Sequence, residues 1–347
     1  MKNNLIFFQL YNPCGLFNQT ISMELAVGLS YVYKRDLVVH NLRDRPNSVY
    51  DNNRVGIYSA NWQWNKRDNF LRYDQYPRID DLLDFEPYNS IILIEDKIPY
   101  FPQEDILIED MMDYYSSIRE TSKRELAFAF KRKNLIIPPN KNIHLKRTLG
   151  QYSTFFYDRS KELDQALSKV RFKAEYIQLS EVIANSIGRF KGAHLRLTDN
   201  QYDKPTFEQF TAGLDELVGD LPVILSTDEP TNTMVLRNKD KFILLDEYII
   251  NNFEKEFKEF KFQDEVSFGL LCNLVMHYSQ DFIGSSGSTF TSYIQRNMNQ
   301  AGRLQGWKYW NKPPSATTGD FSWNGHPTEG NKACWYRDWD ESLLNLR

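Results

Sequence analysis

Short apolar segments alternate with amphipathic segments through the second half of the chain, from residue 192 to residue 297. The apolar segments have the length of β-strands, and the segments between them repeat their apolar residues at helical spacing. Strands that alternate with helices predict right-handed crossovers and a parallel sheet. We therefore expect an α/β fold in which ligands bind beyond the carboxyl ends of the strands.

The same pattern assigns elements along most of the chain. The predicted strands of the second half are 192–197, 222–226, 241–246 and 281–284, and the predicted helices are 206–218, 232–237, 265–278 and 288–297. In the first half, we predict strands at 5–10, 37–39 and 90–95, a helix near 20–32 with Thr20 or Ser22 as its N-cap, and helical segments within 117–131 and 155–183.

The length of 347 residues exceeds what one ordinary core accommodates and suits two α/β domains. We place the first domain at residues 1–165 and the second at 166–310. The remaining residues, 311–347, are expected to be a tail that packs back on the first domain.

Composition excludes several classes of protein. The 42 basic and 46 acidic side chains leave a net charge of −4, so nucleic acid is not an expected partner. No apolar run reaches the roughly 18 residues of a membrane span, and we expect a cytoplasmic protein. The three cysteines and five histidines lack disulfide-framework or metal-ligand spacing, so no metal is expected.

Polar residues follow three predicted strands of the second half, in segments 194–199, 226–230 and 285–290. His194 and Arg196 fall on one face of their strand because side chains alternate. An arginine offers a charged fork that suits phosphate oxygens. The Ser-Ser-Gly-Ser-Thr turn opens a helix, where hydroxyls and free amides can hold a diphosphate.

Each segment also has a purely structural interpretation. Arg196 could pair with Asp199 and fix a loop, and His194 could be a hydrogen-bonded core residue. Three such segments at the ends of strands in one sheet favour a binding site.

The chain resembles the GT-B fucosyltransferases, which include protein O-fucosyltransferases, the core α1,6-fucosyltransferase and the rhizobial Nod-factor fucosyltransferases. Four motifs carry this resemblance, in the order that the family has. They are Gly15-Leu16-Phe17-Asn18-Gln19, His194-Leu195-Arg196-Leu197-Thr198-Asp199, Leu225-Ser226-Thr227-Asp228 and the segment from Asp281 to Phe290. Each motif is short, and together they are fairly specific.

The resemblance implies two Rossmann-like domains that face each other across a cleft, with the acceptor side in the first domain and the nucleotide sugar in the second. It implies an inverting transferase that uses GDP-fucose as donor substrate, with no metal or other cofactor. The acceptor is a glycan, a protein or a small molecule. The resemblance implies that Arg196 contacts the β-phosphate, and the expected catalytic residues are Arg196 and Asp199. The base is not evident from the sequence, and Asp228 and Glu229 are candidates for it beside Asp199. The expected donor-binding residues are Gly15, Phe17, Asn18, His194, Arg196, Asp228, Asn273, Ser288, Thr289 and Phe290.

Two positions depart from the family pattern. Leu197 stands where α1,6-type members have a second arginine, and Asn273 stands where an aspartate often recognises guanine. An amide can bond guanine but cannot supply the acceptor pair of a carboxylate. Two alternatives therefore stay open, a transferase for another nucleotide sugar and a non-catalytic glycan-binding protein on the same scaffold.

Overall fold

In a computed structural model of the chain, the described residues are 5–9, 16–17, 20, 27, 30, 34–40, 79–84, 91–94, 106–108, 141–145, 171–197, 204–261, 263, 265–285, 288–300, 303 and 310. They form parts of two compact units. Described residues up to Lys173 belong to the first unit, and those from Ala174 onward belong to the second.

The first unit contains a five-stranded parallel sheet. Its elements are β1 (Leu5–Gln9), β2 (Asp36–His40), α1 (Ile79–Leu82), β3 (Leu83–Asp84), β4 (Ile91–Ile94), β5 (Ile106–Ile108), β6 (Ile143–Leu145) and β7 (Arg171–Phe172). The strand order is β4-β2-β1-β6-β5, and all four pairings are parallel. Strands β3 and β7 form a separate antiparallel pair.

The second unit contains a four-stranded parallel sheet of order β10-β9-β8-β11. Its elements are α2 (Ala174–Ile187), β8 (Lys191–Leu195), α3 (Phe207–Leu217), β9 (Val223–Thr227), α4 (Thr233–Leu236), β10 (Phe242–Leu244), α5 (Leu245–Asn252), α6 (Glu254–Lys258), α7 (Glu265–Met276), β11 (Phe282–Ile283) and α8 (Thr289–Gln300).

Local signals explain where these helices begin and end. Helix α3 starts with a capping box, in which the Thr206 hydroxyl accepts from the Gln209 amide and the Gln209 side chain accepts from the Thr206 amide. Helix α2 ends at Ile187, and Gly188 then takes a φ of +80°, a left-handed conformation that glycine adopts without strain.

Helices cover both faces of the second sheet. On one face, α3 packs on alternate residues of β8 and β9 in a buried apolar cluster that includes Leu195, Phe210, Leu214 and Leu225. On the other face, His194 of β8 contacts the start of α8. Since both faces are covered, every residue of β9 is buried, as is usual in parallel sheets.

The predicted α/β class with Rossmann-like parallel sheets is confirmed. In the second unit, the predicted strands and helices match the observed ones to within a few residues at most ends. Helices α5 and α6 were not predicted, and two assignments are wrong. Leu245 and Asp246 begin α5 instead of ending a strand, and Arg171–Phe172 is a strand inside a segment predicted as helical. A helix can begin directly after β10 because Leu245 and Ile249, four residues apart, both reach the core.

The predictions for the first unit can be compared with its observed elements in the same way. Leu16, Phe17 and Thr20 are all helical, so Thr20 is not the N-cap of that helix, and Ser22 lies outside the described residues. Strands β5 and β6 were not predicted. The segments 117–131 and 311–347 lie outside the described residues. Within the described part of the chain, no helix has both the length and the apolar character needed to cross a bilayer.

Candidate functional site

Polar residues of the second unit meet at the carboxyl edge of its sheet. Strands β8, β9 and β11 run parallel, so the residues that follow them, Arg196, Asp228 and Ser285, lie at the same edge. This is the edge at which open parallel sheets bind their ligands.

Two side chains from neighbouring strand ends hold the backbone at Arg196. The Arg196 amide donates to Ser285 Oγ at 2.8 Å, and the Leu197 amide donates to Asp228 Oδ1 at 2.7 Å. Both amides lie beyond the last residue of β8, and side chains take the place of ladder partners there. Residues from β9 and β11 thus fix the position of Arg196 from both sides.

The side of the sheet on which Arg196 lies follows from its neighbours. Leu195 and Leu197 are both buried in the cluster under α3. Because successive side chains of an extended segment point to opposite faces, Arg196 lies on the opposite side, which is the side of His194 and α8. Arg196 is partly exposed.

His194 is tied to the first turn of α8 in two ways. Its Nδ1 lies 2.7 Å from Thr291 Oγ1, and its ring stacks on Phe290 with centroids 4.5 Å apart and planes 27° apart. His194 is only 6% exposed. Its ring therefore lies fixed beside the helix start.

The start of α8 is a helix N-terminus at this edge of the sheet. A helix of 12 residues leaves its first amides without helical partners and places partial positive charge there. Ser288, the residue before the helix, is buried. Gly284 precedes this turn, and a Cβ on it would overlap the Thr291 side chain, so glycine allows the close approach of α8 to β11.

Trp310, which is distant in sequence, packs at the same edge of the sheet. Its indole Nε1 donates to the His194 carbonyl at 2.8 Å, and its amide donates to the Gly284 carbonyl at 3.2 Å. The ring lies 4.9 Å from Phe210 and so close to Gly213 that a Cβ on that glycine would overlap it. Trp310 therefore satisfies the carbonyls of two strand ends.

The other predicted site residues are placed as follows. Asp228 is partly buried and bonds the Leu197 amide, as described above. Asn273 is completely buried on α7, and Phe17 is buried in the first unit. Thr289 is the first residue of α8. Gly15, Asn18 and Asp199 lie outside the described residues.

Three residues of this edge were missing from the predicted set, namely Ser285, Thr291 and Trp310. The first two lie in or next to a quoted motif, and their hydroxyls could have been chosen from it. No local pattern points to Trp310. In the described ranges, no group of three or more His, Cys, Asp and Glu side chains is placed to hold a metal ion.

The fold and this edge define a class of protein, a two-unit α/β chain whose second sheet has a polar carboxyl edge beside a helix start. No family model matches the chain. No curated protein matches it either.

Solved structures are similar over most of its length. One is POFUT1 in complex with GDP, at 12% identity and a TM-score of 0.46, covering 90% of this chain and 99% of that one. POFUT1 in complex with GDP-fucose gives 10% identity, a TM-score of 0.44 and coverages of 90% and 99%. The fucosyltransferase NodZ from Bradyrhizobium gives 13% identity, a TM-score of 0.46 and coverages of 85% and 92%.

Proposed function

We propose that this protein is an inverting glycosyltransferase that transfers fucose from GDP-fucose to a hydroxyl group without a metal ion. The arrangement of Arg196 carries the proposal. Its backbone is held by Ser285 and Asp228, and it lies on the same side of the sheet as His194 and the start of α8. A fixed cation and a helix N-terminus at one edge suit a diphosphate.

The four sequence motifs supply the rest of the proposal. They resemble those of GT-B fucosyltransferases, and the three in the second unit lie at the ends of β8 and β9 and across β11 into α8. In the proposed roles, Arg196 contacts the β-phosphate, Ser288 and Thr289 line the diphosphate, and His194 and Phe290 form the nucleoside side. The second unit would hold the donor, and the first would carry the acceptor side with Gly15, Phe17 and Asn18.

The proposed reaction is a single displacement. The bond between the anomeric carbon and the β-phosphate oxygen breaks, and a bond from that carbon to the acceptor oxygen forms on the opposite face. The acceptor proton goes to a general base, for which Asp199 is our candidate, and GDP leaves. Arg196 and the α8 amides stabilise the negative charge that develops on the β-phosphate.

Two other functions are alternatives. A different donor, such as GDP-mannose or a UDP-sugar, would use the same diphosphate groups, and Asn273 in place of an acidic residue leaves the base less defined. A glycan-binding protein without turnover would keep the scaffold. The polar edge with an ordered Arg196 backbone favours the enzyme.

The test is a panel of nucleotide sugars. Donor hydrolysis and transfer are measured for GDP-fucose, GDP-mannose and UDP-sugars, with and without a chelator, and the anomeric configuration of the product is read by NMR. We expect the highest turnover with GDP-fucose, inverted product and no effect of chelator.

The same panel separates the alternatives. A preference for another nucleotide sugar would show that GDP-fucose is not the donor. Activity that is lost to chelator and restored by a divalent cation would overturn the metal-free mechanism. GDP binding without turnover of any donor would favour the binding protein. Binding itself is followed by thermal shift, since a ligand at about 100 times its Kd stabilises the folded state by about 2.7 kcal/mol.

A further inference from the structure

Helices α7 and α8 are joined by a buried polar contact that the proposed reaction does not use. Asn273 and His277 lie four residues apart on α7, and both are completely buried. Asn273 Nδ2 donates to the Phe290 carbonyl at 3.1 Å, and Asn273 Oδ1 lies 3.0 Å from His277 Nε2. Asn297 Nδ2, on α8, lies 3.4 Å from the same nitrogen.

Hydrogen-bond chemistry fixes the direction of this network. The Phe290 carbonyl can only accept, so the NH₂ of Asn273 must face it. Asn273 Oδ1 is then the acceptor, and His277 Nε2 carries the proton that it receives. Asn297 Nδ2 is also a donor, so it makes only a contact with Nε2 and donates instead to the Tyr293 carbonyl at 2.9 Å. Both ends of the Asn273 amide are therefore engaged with protein groups inside the core.

The network ends at the residue that stacks on His194. Phe290 receives the Asn273 bond on its carbonyl and presents its ring to His194. The first turn of α8 is thus held from the strand side by His194 with Thr291 and from the helix side by Asn273. The two contacts together set how far α8 lies from β8.

We infer that Asn273 and His277 are positioning residues that set the Phe290–His194 stack, and that Asn273 does not contact the donor. The inference deepens the proposed function and rests on it, because the stack forms the nucleoside side of the proposed donor site. It replaces the expected role of Asn273 in guanine recognition with one exerted through Phe290.

Substitutions at His277 test the inference without touching the donor site. In His277→Leu the donor to Asn273 Oδ1 is lost, whereas His277→Gln keeps an N–H donor at a similar reach and serves as the matched control. Asn273→Ala removes both bonds. Asn273→Asp turns the donor into an acceptor that faces the Phe290 carbonyl, so it should act at least as strongly as Asn273→Ala.

Kinetics with the donor separate positioning from stability. We expect the KM for GDP-fucose and the Kd of GDP to rise about tenfold in His277→Leu, the size expected for one lost buried hydrogen bond, and at least as much in Asn273→Ala, which loses two. The kcat per folded enzyme should stay unchanged, and His277→Gln should restore KM. A purely structural role would lower the folded fraction and leave KM unaltered, which would overturn the inference.

One further outcome would also overturn it. If Asn273→Ala raises KM and His277→Leu does not, Asn273 contacts the donor directly.

The inference can also be tested if the wild-type protein binds no nucleotide and the proposed function fails. The ring current of Phe290 shifts the His194 ring protons in NMR spectra, which are assigned with a His194→Gln variant. That shift should change in Asn273→Ala and His277→Leu and return in His277→Gln, and an unchanged shift would refute the positioning role.

Discussion

Each unit has an arginine next to a strand of its parallel sheet, before the strand in the first unit and after the strand in the second. Arg35 precedes β2 in the first unit, is buried, and donates from Nη1 to the Lys141 carbonyl at 2.7 Å. Arg196 follows β8 in the second unit and is partly exposed, with its backbone held by Ser285 and Asp228. The two arginines therefore differ in what is held in place, which is the side chain at Arg35 and the backbone at Arg196.

Neighbouring contacts repeat this difference. At the amino ends of the first sheet, Asn142 Oδ1 accepts from the Leu5 amide, and the Arg35 bond joins the entrances of β2 and β6. These contacts join segments more than 100 residues apart in sequence. Ligands of parallel sheets bind at the other edge, so such contacts serve stability. Polar contacts at the carboxyl edge of the second sheet instead arrange a partly exposed cation.

The largest expected effect comes from Arg196→Ala. Removing a group that stabilises developing charge costs about 3 kcal/mol of transition-state stabilisation, or about 100-fold or more in kcat. Because the side chain is partly exposed, the free energy of unfolding should hardly change. Single-turnover rates with GDP-fucose and denaturant unfolding measure the two quantities.

Arg189→Ala is the matched control for that prediction. Arg189 is exposed and precedes β8, at the amino end of the strand that Arg196 follows. The Arg189→Ala variant should leave both kcat and the free energy of unfolding unaltered. An active Arg196→Ala enzyme would remove the basis of the proposed mechanism.

Arg35→Met should give the opposite result with a smaller effect. It removes a charge-assisted hydrogen bond from a buried site, which costs about 2 kcal/mol of stability. Hydrogen exchange of the β1 and β2 amides measures the loss, and kcat/KM should be unchanged where the variant stays folded. A fall in kcat/KM at unchanged amide protection would contradict the structural role of Arg35.

The second sheet was predictable because its information is local. Each strand from β8 to β10 is an apolar run next to a helix that directly follows or precedes it, so periodicity identifies both. Strands β5 and β6 are three residues long, and β6 pairs with β1 across more than 100 residues of sequence. Nothing local distinguishes Ile-Leu-Ile or Ile-His-Leu from other short apolar runs.

The candidate edge shows the same limit. The rule that polar residues follow parallel strands predicts that segments 194–199, 226–230 and 285–290 are neighbours, and contacts between Arg196 and Ser285 and between Leu197 and Asp228 are observed. Whether these residues bind a donor stays a prediction. The Trp310 bond to the His194 carbonyl spans 116 positions and depends on the small size of Gly213. A contact of this kind follows only from the packed structure.

Trp310→Phe has the smallest expected effect and tests the comparison between Arg35 and Arg196. Trp310 lies at the carboxyl edge, yet it is buried and bonds strand carbonyls, so it should behave like Arg35 and not like Arg196. Phenylalanine keeps a ring beside Phe210 but removes the indole donor from the buried His194 carbonyl, at a cost of about 1 kcal/mol in unfolding.

Denaturant unfolding and the kcat of Trp310→Phe decide between the two roles. The control is Phe207→Leu, a change of an exposed aromatic side chain on α3, the helix against which Trp310 packs, and it should alter neither stability nor kcat. A stability loss with unchanged kcat would place Trp310 with the structural contacts, because its bonds end on backbone groups and leave the guanidinium of Arg196 where it is. A rate loss as large as that of Arg196→Ala, at unchanged stability, would instead assign Trp310 to the chemistry. Position at the carboxyl edge would then matter more than burial in deciding what a residue does.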